Sequence, residues 1–294
     1  MLSRAAALLA VVALACGEKS ESERSGPPAL LPSMMHQQTN ADADPPKVPF
    51  SPGTPRLRAR AARRWPHDTA AYTQGLLVHD GRLLESTGIK GRSDVREVDE
   101  HSGRVLRRTE LPGTEFGEGI AVLGERLYQL TWESGRGRVY DVRTLTPVDS
   151  FRYEGEGWGL ASDGAALYLS DGTSSIRVID PAGFRVSRTI KVTEAGKPVY
   201  ALNELEWVRG ELWANVYQTD FVARIDPASG QVVGWIDLAR LLTPEERGDV
   251  ARRGGVANGI AFDPAAGALL VTGKYWPYLI QLDSIRPVRP NRSE

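Results

Sequence analysis

A glutamate stands between two glycines in Phe116-Gly117-Glu118-Gly119-Ile120, directly before the apolar run "IAVLGERLYQLTW". Flanking glycines allow close backbone approach and unusual dihedrals, so Glu118 reads as a carboxylate aimed at something, or as a turn residue. Four more stretches share its form: "QGLLV", "WGLAS", "NELEW" and "NGIAF" put Gln74, Trp158, Asn203 and Asn258 at the equivalent position. A second set closes the strands that follow: Thr131-Trp132, Asp171, Tyr217 and Lys274. Brought together, they form a half-apolar pocket with a carboxylate, an amine and several amides. Such a pocket suits a small polar ligand that carries an amine and a carbonyl, and a buried carboxylate could move protons on it. The bland alternative is that these side chains fill and hydrogen-bond a crowded channel mouth. It weighs most for Asn258, and for Trp132 and Trp158 it takes the form of core packing.

These stretches recur because the chain repeats. A strand ending in aspartate appears at Asp99, Asp141, Asp180, Asp226 and Asp283, at intervals of 42, 39, 46 and 57 residues. A glycine-led strand starts at Gly81, Gly124, Gly164, Gly210 and Gly267. Units of about 40 β-rich residues with four strands each are the pattern of a β-propeller. The sequence therefore predicts an all-β fold, a five-bladed β-propeller over residues 57–288. Glu118 and its equivalents would lie just before the innermost strands and face the central funnel. The long last interval holds Leu242-Thr243-Pro244-Glu245-Glu246, with Thr as N-cap, Pro at the first helical position and acids in the first turn. It predicts a short inserted helix of about two to three turns, closed by Gly254-Gly255. The fifth unit ends near Asp283 after three strands, so Leu57–Trp65 is expected to supply the fourth and join the ends of the ring.

Composition and the N-terminus narrow the setting. Over 294 residues the net charge is −1, without the basic excess that nucleic acid would ask for. The N-terminal Met1-Leu2-Ser3-Arg4, the apolar stretch 5–15 and Cys16 read as an export signal. Ala13-Leu14-Ala15-Cys16 resembles a bacterial lipobox, which implies lipidation of Cys16 and a membrane-anchored protein facing the periplasm. Ordinary cleavage, giving a secreted or soluble periplasmic protein, is the alternative. Residues 17–56, rich in Ser, Pro and charge, are expected as a disordered tether, and 289–294 as a tail. The four histidines, at 36, 67, 79 and 101, show no metal-ligand spacing. No cofactor is expected for catalysis, a structural cation in the channel stays open, and monomer is the default state. His67, in "WPHD", is expected as a turn or closure residue.

The chain resembles the plant- and bacterial-type glutaminyl-peptide cyclotransferases. The motifs are "YTQGL" 72–76, "ESTGIKGRSDVR" 85–96, "FGEGI" 116–120, "LTW" 130–132, "GWGLASDG" 157–164 and "SDGT" 170–173. They continue with "LNELEWVRGELWANVYQTD" 202–220, "GWIDL" 234–238, "NGIAFD" 258–263 and "VTGKYWP" 271–277, so the resemblance runs in order from about Trp65 to Leu282. It implies cyclisation of an N-terminal glutamine of peptides or proteins to pyroglutamate, with release of ammonia, and it agrees with five blades. Carried over by motif, Glu118 would be the general acid/base. Gln74, Asn203 and Lys274 would contact substrate, and Tyr72, Phe116, Trp132 and Trp158 would line the pocket. Tyr217 stands where some members carry Trp and keeps an aromatic role.

The implied chemistry is consistent with these residue types. The substrate's α-amine must attack its own γ-carboxamide carbon, so holding one rotamer supplies much of the acceleration. One carboxylate can take the amine proton and deliver it to the departing ammonia, and burial would raise its pKa toward that task. Asn203, Gln74 or Lys274 could hold the developing oxyanion, while Lys274 could instead offset the charge of Glu118. Two rivals stand beside this reading: a non-catalytic propeller scaffold, and another propeller enzyme such as a lactonase or lyase.

Overall fold

The computed structural model describes residues 48–287, with side chains through Asp283. The export signal, Cys16, the expected tail and most of the expected tether lie outside the described residues. Arg56–Pro66 forms β1. A sheet follows in chain order: β2 (Thr73–His79), β3 (Arg82–Thr87), β4 (Asp94–Val98) and β5 (Val105–Glu110). The next is β6 (Gly117–Leu123), β7 (Arg126–Thr131), β8 (Arg136–Asp141) and β9 (Pro147–Arg152). A third is β10 (Leu160–Ser162), β11 (Leu167–Ser170), β12 (Ser175–Asp180) and β13 (Arg185–Lys191). The small hairpin β14 (Thr193–Glu194) and β15 (Lys197–Pro198) leads to β16 (Leu202–Val208), β17 (Glu211–Val216), β18 (Phe221–Ile225) and β19 (Val232–Asp237). Helix α1 (Pro244–Arg252) precedes β20 (Ala257–Asp263), β21 (Ala268–Gly273) and β22 (Tyr278–Pro287).

The last sheet has eight strands in the order β16-β17-β18-β19-β1-β22-β21-β20. β1 pairs antiparallel with β22 from Leu57↔Pro287 to Pro66↔Tyr278, as expected for a closing strand. Its first residues also pair parallel with β19, Arg56↔Trp235 to Arg58↔Asp237, which the repeat pattern did not foretell. The first strands form a cycle: β2 lies against β6 and β20, β6 against β10, β10 against β16, and β16 against β20. The core sits between neighbouring sheets, as where Leu77, Leu84 and Val95 meet Ile120, Leu127 and Tyr140.

The end of the expected tether, residues 48–55, is packed against the eight-stranded sheet. The Phe50 ring sits edge-on to Phe221 at 4.9 Å and to Trp235 at 5.5 Å. Trp235 N donates to Pro55 O at 2.9 Å, and Ser51 N to Glu194 Oε1 at 3.0 Å. Two rings and these backbone bonds outweigh the cost of ordering a polar, proline-rich segment.

The repeated residues have local causes. Gly81, Gly124, Gly164, Gly210 and Gly267 all have positive φ in the turns between first and second strands, a region glycine enters without steric cost. The repeated aspartates cap the next turn: Asp99 accepts from Ser102 N, Asp141 from Thr144 N, Asp180 from Ala182 N and Asp226 from Ala228 N. Helix α1 starts as its sequence dictates: Thr243 and Glu246 form a capping box, with Pro at the start. His67, between β1 and β2, ties β3 to the segment before β22. Its Nδ1 meets Trp276 O at 2.9 Å and its Nε2 meets Glu85 Oε1 at 3.0 Å, both partners buried.

What positions the site is a set of β-bulges. In β6 two residues, Glu118 and Gly119, oppose one residue of β7, because Gly117 pairs Thr131 and Ile120 pairs Gln129. Register breaks fall at the same place in β2 (Thr73/Gly75), β16 (Leu202/Leu205) and β20 (Ala257/Ile260). A bulge re-aims a side chain out of the sheet's alternation, and here it re-aims Gln74, Glu118, Asn203 and Asn258. The glycines that follow touch neighbouring backbones: a Cβ on Gly75 would lie 2.7 Å from Ile120 N, one on Gly119 would strike Leu160 N, and one on Gly159 would strike Asn203 O. Glu204 stands where its equivalents are glycine. Its carboxyl accepts from Leu76 N at 3.3 Å and Ile260 N at 3.0 Å, spanning three first strands. Burial and the neighbouring Glu206 push the Glu204 carboxyl well above the usual range.

Candidate active site

The sequence placed Glu118 at a funnel position. The structure buries it completely and gives it a held geometry. Gln74 Nε2 donates to Glu118 Oε1 at 3.0 Å, and Asn258 Nδ2 donates to Gln74 Oε1 at 3.2 Å and to Thr73 O at 2.9 Å. Asn258 thus orients the Gln74 amide so that its N–H faces the carboxylate. The main chain is held as well: Ser86 Oγ donates to Glu118 O, and Ser93 Oγ joins Gly117 N to Ile89 O at 3.0 and 2.8 Å. Ile89 has φ +96°, a strained state for a β-branched residue. Its tie to Gly117 carries the 88–93 loop against the Glu118 strand.

Lys274, at the end of β21, is fully buried, and its Nζ makes no hydrogen bond among the described residues. The Nζ stands 4.5 Å from the Tyr72 ring centroid and 4.8 Å from that of Tyr217. Burial brings its pKa down to about 8, and the charge of Glu118 opposes that fall. The Tyr72 and Tyr217 hydroxyls are hydrogen-bonded to each other. Burial pushes Tyr72 well above its ordinary value and Tyr217 up to about 12, so both stay phenols at neutral pH.

Aromatic rings surround these groups. Tyr72 lies edge-on to Phe116 at 6.0 Å and to Tyr275 at 5.2 Å, and Phe116 to Trp132 at 5.7 Å. Trp158 is edge-on to Tyr217 at 5.7 Å. A cavity of about 340 Å³ shares Tyr72 and Ile89 with this cluster. Asn203 is buried on β16, and its main-chain oxygen accepts from Ser170 Oγ at 2.6 Å. Asp171, grouped with the pocket in the sequence, has its carboxylate engaged by neighbours. It pairs with Arg177 at 3.5 Å and caps its own turn through Thr173 N. Thr131 likewise spends its hydroxyl on Arg136 O. Tyr275 and Glu156 join the site unannounced, though Tyr275 adjoins Lys274 in "VTGKYWP" and Glu156 lies two residues before Trp158.

The glutamine cyclotransferase family model matches residues 30–283. The chain belongs to the glutamine cyclotransferase family. A glutaminyl-peptide cyclotransferase of Arabidopsis thaliana is 46% identical over 223 residues, covering 74% of this chain and 68% of that one. The crystal structure of Myxococcus xanthus glutaminyl cyclase superposes with a TM-score of 0.75 at 38% identity, covering 80% of this chain and all of that one. The candidate site residues within these motifs, Tyr72, Gln74, Phe116, Glu118, Trp132, Trp158, Asn203, Tyr217 and Lys274, lie on or beside the first two strands of their repeats. Four of the motifs, those holding Gln74, Glu118, Asn203 and Asn258, carry the bulges.

Proposed function

We propose that this chain catalyses the glutaminyl-peptide cyclotransferase reaction, turning an N-terminal glutamine into pyroglutamate with release of ammonia, with Glu118 as the proton carrier. The observation behind this role is the buried Glu118 carboxylate, held by Gln74 and set near a buried lysine inside an aromatic enclosure. The α-amine nitrogen attacks the γ-carboxamide carbon and forms the lactam bond while the carbonyl π pair moves to oxygen. Glu118 takes a proton from the amine and gives it to the amide nitrogen. The oxyanion pair then re-forms the carbonyl as the C–N bond breaks, its pair leaves with nitrogen, and ammonia departs. The Lys274 ammonium and the Asn203 amide supply donors for the transient oxyanion. Gln74, whose amide is engaged with Glu118 and Asn258, aims the base rather than the substrate.

Aromatic faces around a small polar seat would hold the glutamine side chain folded toward its own amine, the rotamer the reaction needs. The scheme calls on no metal. For the fold, three four-stranded sheets and the two halves of the eight-stranded sheet, with their first strands in a cycle, support reading five blades of a propeller in which β1 completes the last. Ammonia release from glutamine-initiated peptides, measured with and without a chelator, tests the proposal. Turnover that survives the chelator is expected, whereas no ammonia from any such peptide would favour a binding scaffold.

A further inference from the structure

Glu156 is an exposed residue in the glycine-rich run "EGEGWG", which reads as a solvated turn. Its carboxylate is engaged otherwise. One oxygen, Oε2, accepts from Trp132 Nε1 at 2.9 Å and from Trp158 Nε1 at 2.8 Å. These indoles come from different sheets. Trp132 follows β7 and packs with Phe116, while Trp158 precedes β10 and packs with Tyr217. Glu156 is therefore a polar link between the Phe116–Trp132 and Trp158–Tyr217 walls. Its own segment is held from below, because Arg177 donates to Glu154 O and to Glu156 O, the latter at 2.7 Å.

We infer that Glu156 is a positioning residue that braces both indole walls at the spacing a glutamine side chain requires. The inference rests on the proposed reaction, whose substrate these walls would clasp. Two hydrogen bonds converging on one charged oxygen fix both ring planes more firmly than packing at a half-open mouth does. Without the brace each indole can turn about its χ angles, and substrate is held less often in the cyclising rotamer. The brace requires an acceptor oxygen first and its charge second, since a glutamine carbonyl also has two lone pairs to offer, at the lower strength of neutral bonds.

The test compares Glu156→Ala with Glu156→Gln. The alanine variant is expected to raise KM for glutamine-initiated peptides roughly tenfold, the scale of losing charge-assisted hydrogen bonds, with an unchanged melting midpoint. Its tryptophan fluorescence should be more readily quenched by acrylamide. The glutamine variant should return both readings to within about threefold of wild type, as retention of both bonds requires. Two results overturn the brace: Glu156→Ala with wild-type KM and quenching, or Glu156→Gln failing as fully as alanine, which would assign the role to charge. Quenching needs no turnover, so a wild-type chain that releases no ammonia refutes the reaction while the brace is still judged by fluorescence.

Discussion

Lys274 gives a prediction in which stability and activity move in opposite directions. Replacing it by Met removes a buried ammonium whose pKa stands at about 8 against an ordinary 10.5. That difference corresponds to about 3 kcal/mol acting against the folded state at neutral pH. Its place over the faces of Tyr72 and Tyr217 returns about 2 kcal/mol. Lys274→Met should therefore be more stable than wild type by roughly 1 kcal/mol at pH 7, or about 2–4 °C in melting midpoint. The sign with pH follows from proton binding. Between about pH 8 and 10.5 the unfolded chain holds the lysine proton and the folded chain has lost it, so wild type gains stability as pH rises through that window. The advantage of Met should shrink over the same window, read from urea titrations at pH 7 and above pH 10. Meanwhile kcat should fall by about 10²–10³, the scale of losing one oxyanion donor. A Met variant destabilised by 1 kcal/mol or more at pH 7, as the loss of a net stabilising group would give, with no dependence on pH, would refute this reasoning.

Three further outcomes are expected. Gly159→Ala puts a methyl against Asn203 O and should cost about 1–3 kcal/mol in denaturant unfolding, with loss of activity, because two first strands must part. Glu204→Gln should lose about 1–3 kcal/mol, since Leu76 N and Ile260 N donate to different carboxyl oxygens and the Gln amide offers only one acceptor. Glu204→Ala should lose about 2–4 kcal/mol by leaving Leu76 N and Ile260 N unpaired around a void. In the His67–Glu85 pair, the histidine is raised and the carboxylate lowered by each other, against burial. The histidine contribution is complete below its unfolded value of 6.5 and is lost as pH rises through the higher folded value. The glutamate contribution is complete above 4.5 and is lost as pH falls through the lower folded value. Stability compared with His67→Leu should therefore peak between those limits, and a flat difference across pH 4–9 would contradict the ion pair.

Much of this architecture was legible because it depends on local chemistry. Positive-φ turns require glycines such as Gly81 and Gly124, Asx turns require aspartates such as Asp99 and Asp141, and the capping box at Thr243 is written in four residues. Spacing alone put Gln74, Glu118, Asn203 and Asn258 in register, but the bulges that aim them are a property of strand pairing. What stayed hidden depends on distant partners. Glu204 shows in sequence as a departure from glycine, yet its role needs Leu76 and Ile260 brought to its side. Glu156 looks like a solvated turn until Trp132 arrives from another sheet. Phe50 sits in a segment with the composition of a tether, and only Phe221 and Trp235 reveal why it is held. Asp171 likewise shows in sequence only its place at a strand end, and its ion pair with Arg177 needs the fold.

The central claim is that Glu118 carries the proton from amine to departing ammonia, and Glu118→Gln tests it most directly. Gln keeps the size of the side chain and an oxygen for Gln74 Nε2 to bond, so the fold and substrate affinity should survive. The rate of ammonia release from a glutamine-initiated peptide should fall by about 10²–10⁴, the contribution of a positioned acid/base, with KM and the melting midpoint close to wild type. A Glu118→Gln enzyme that releases ammonia at the wild-type rate would contradict the account.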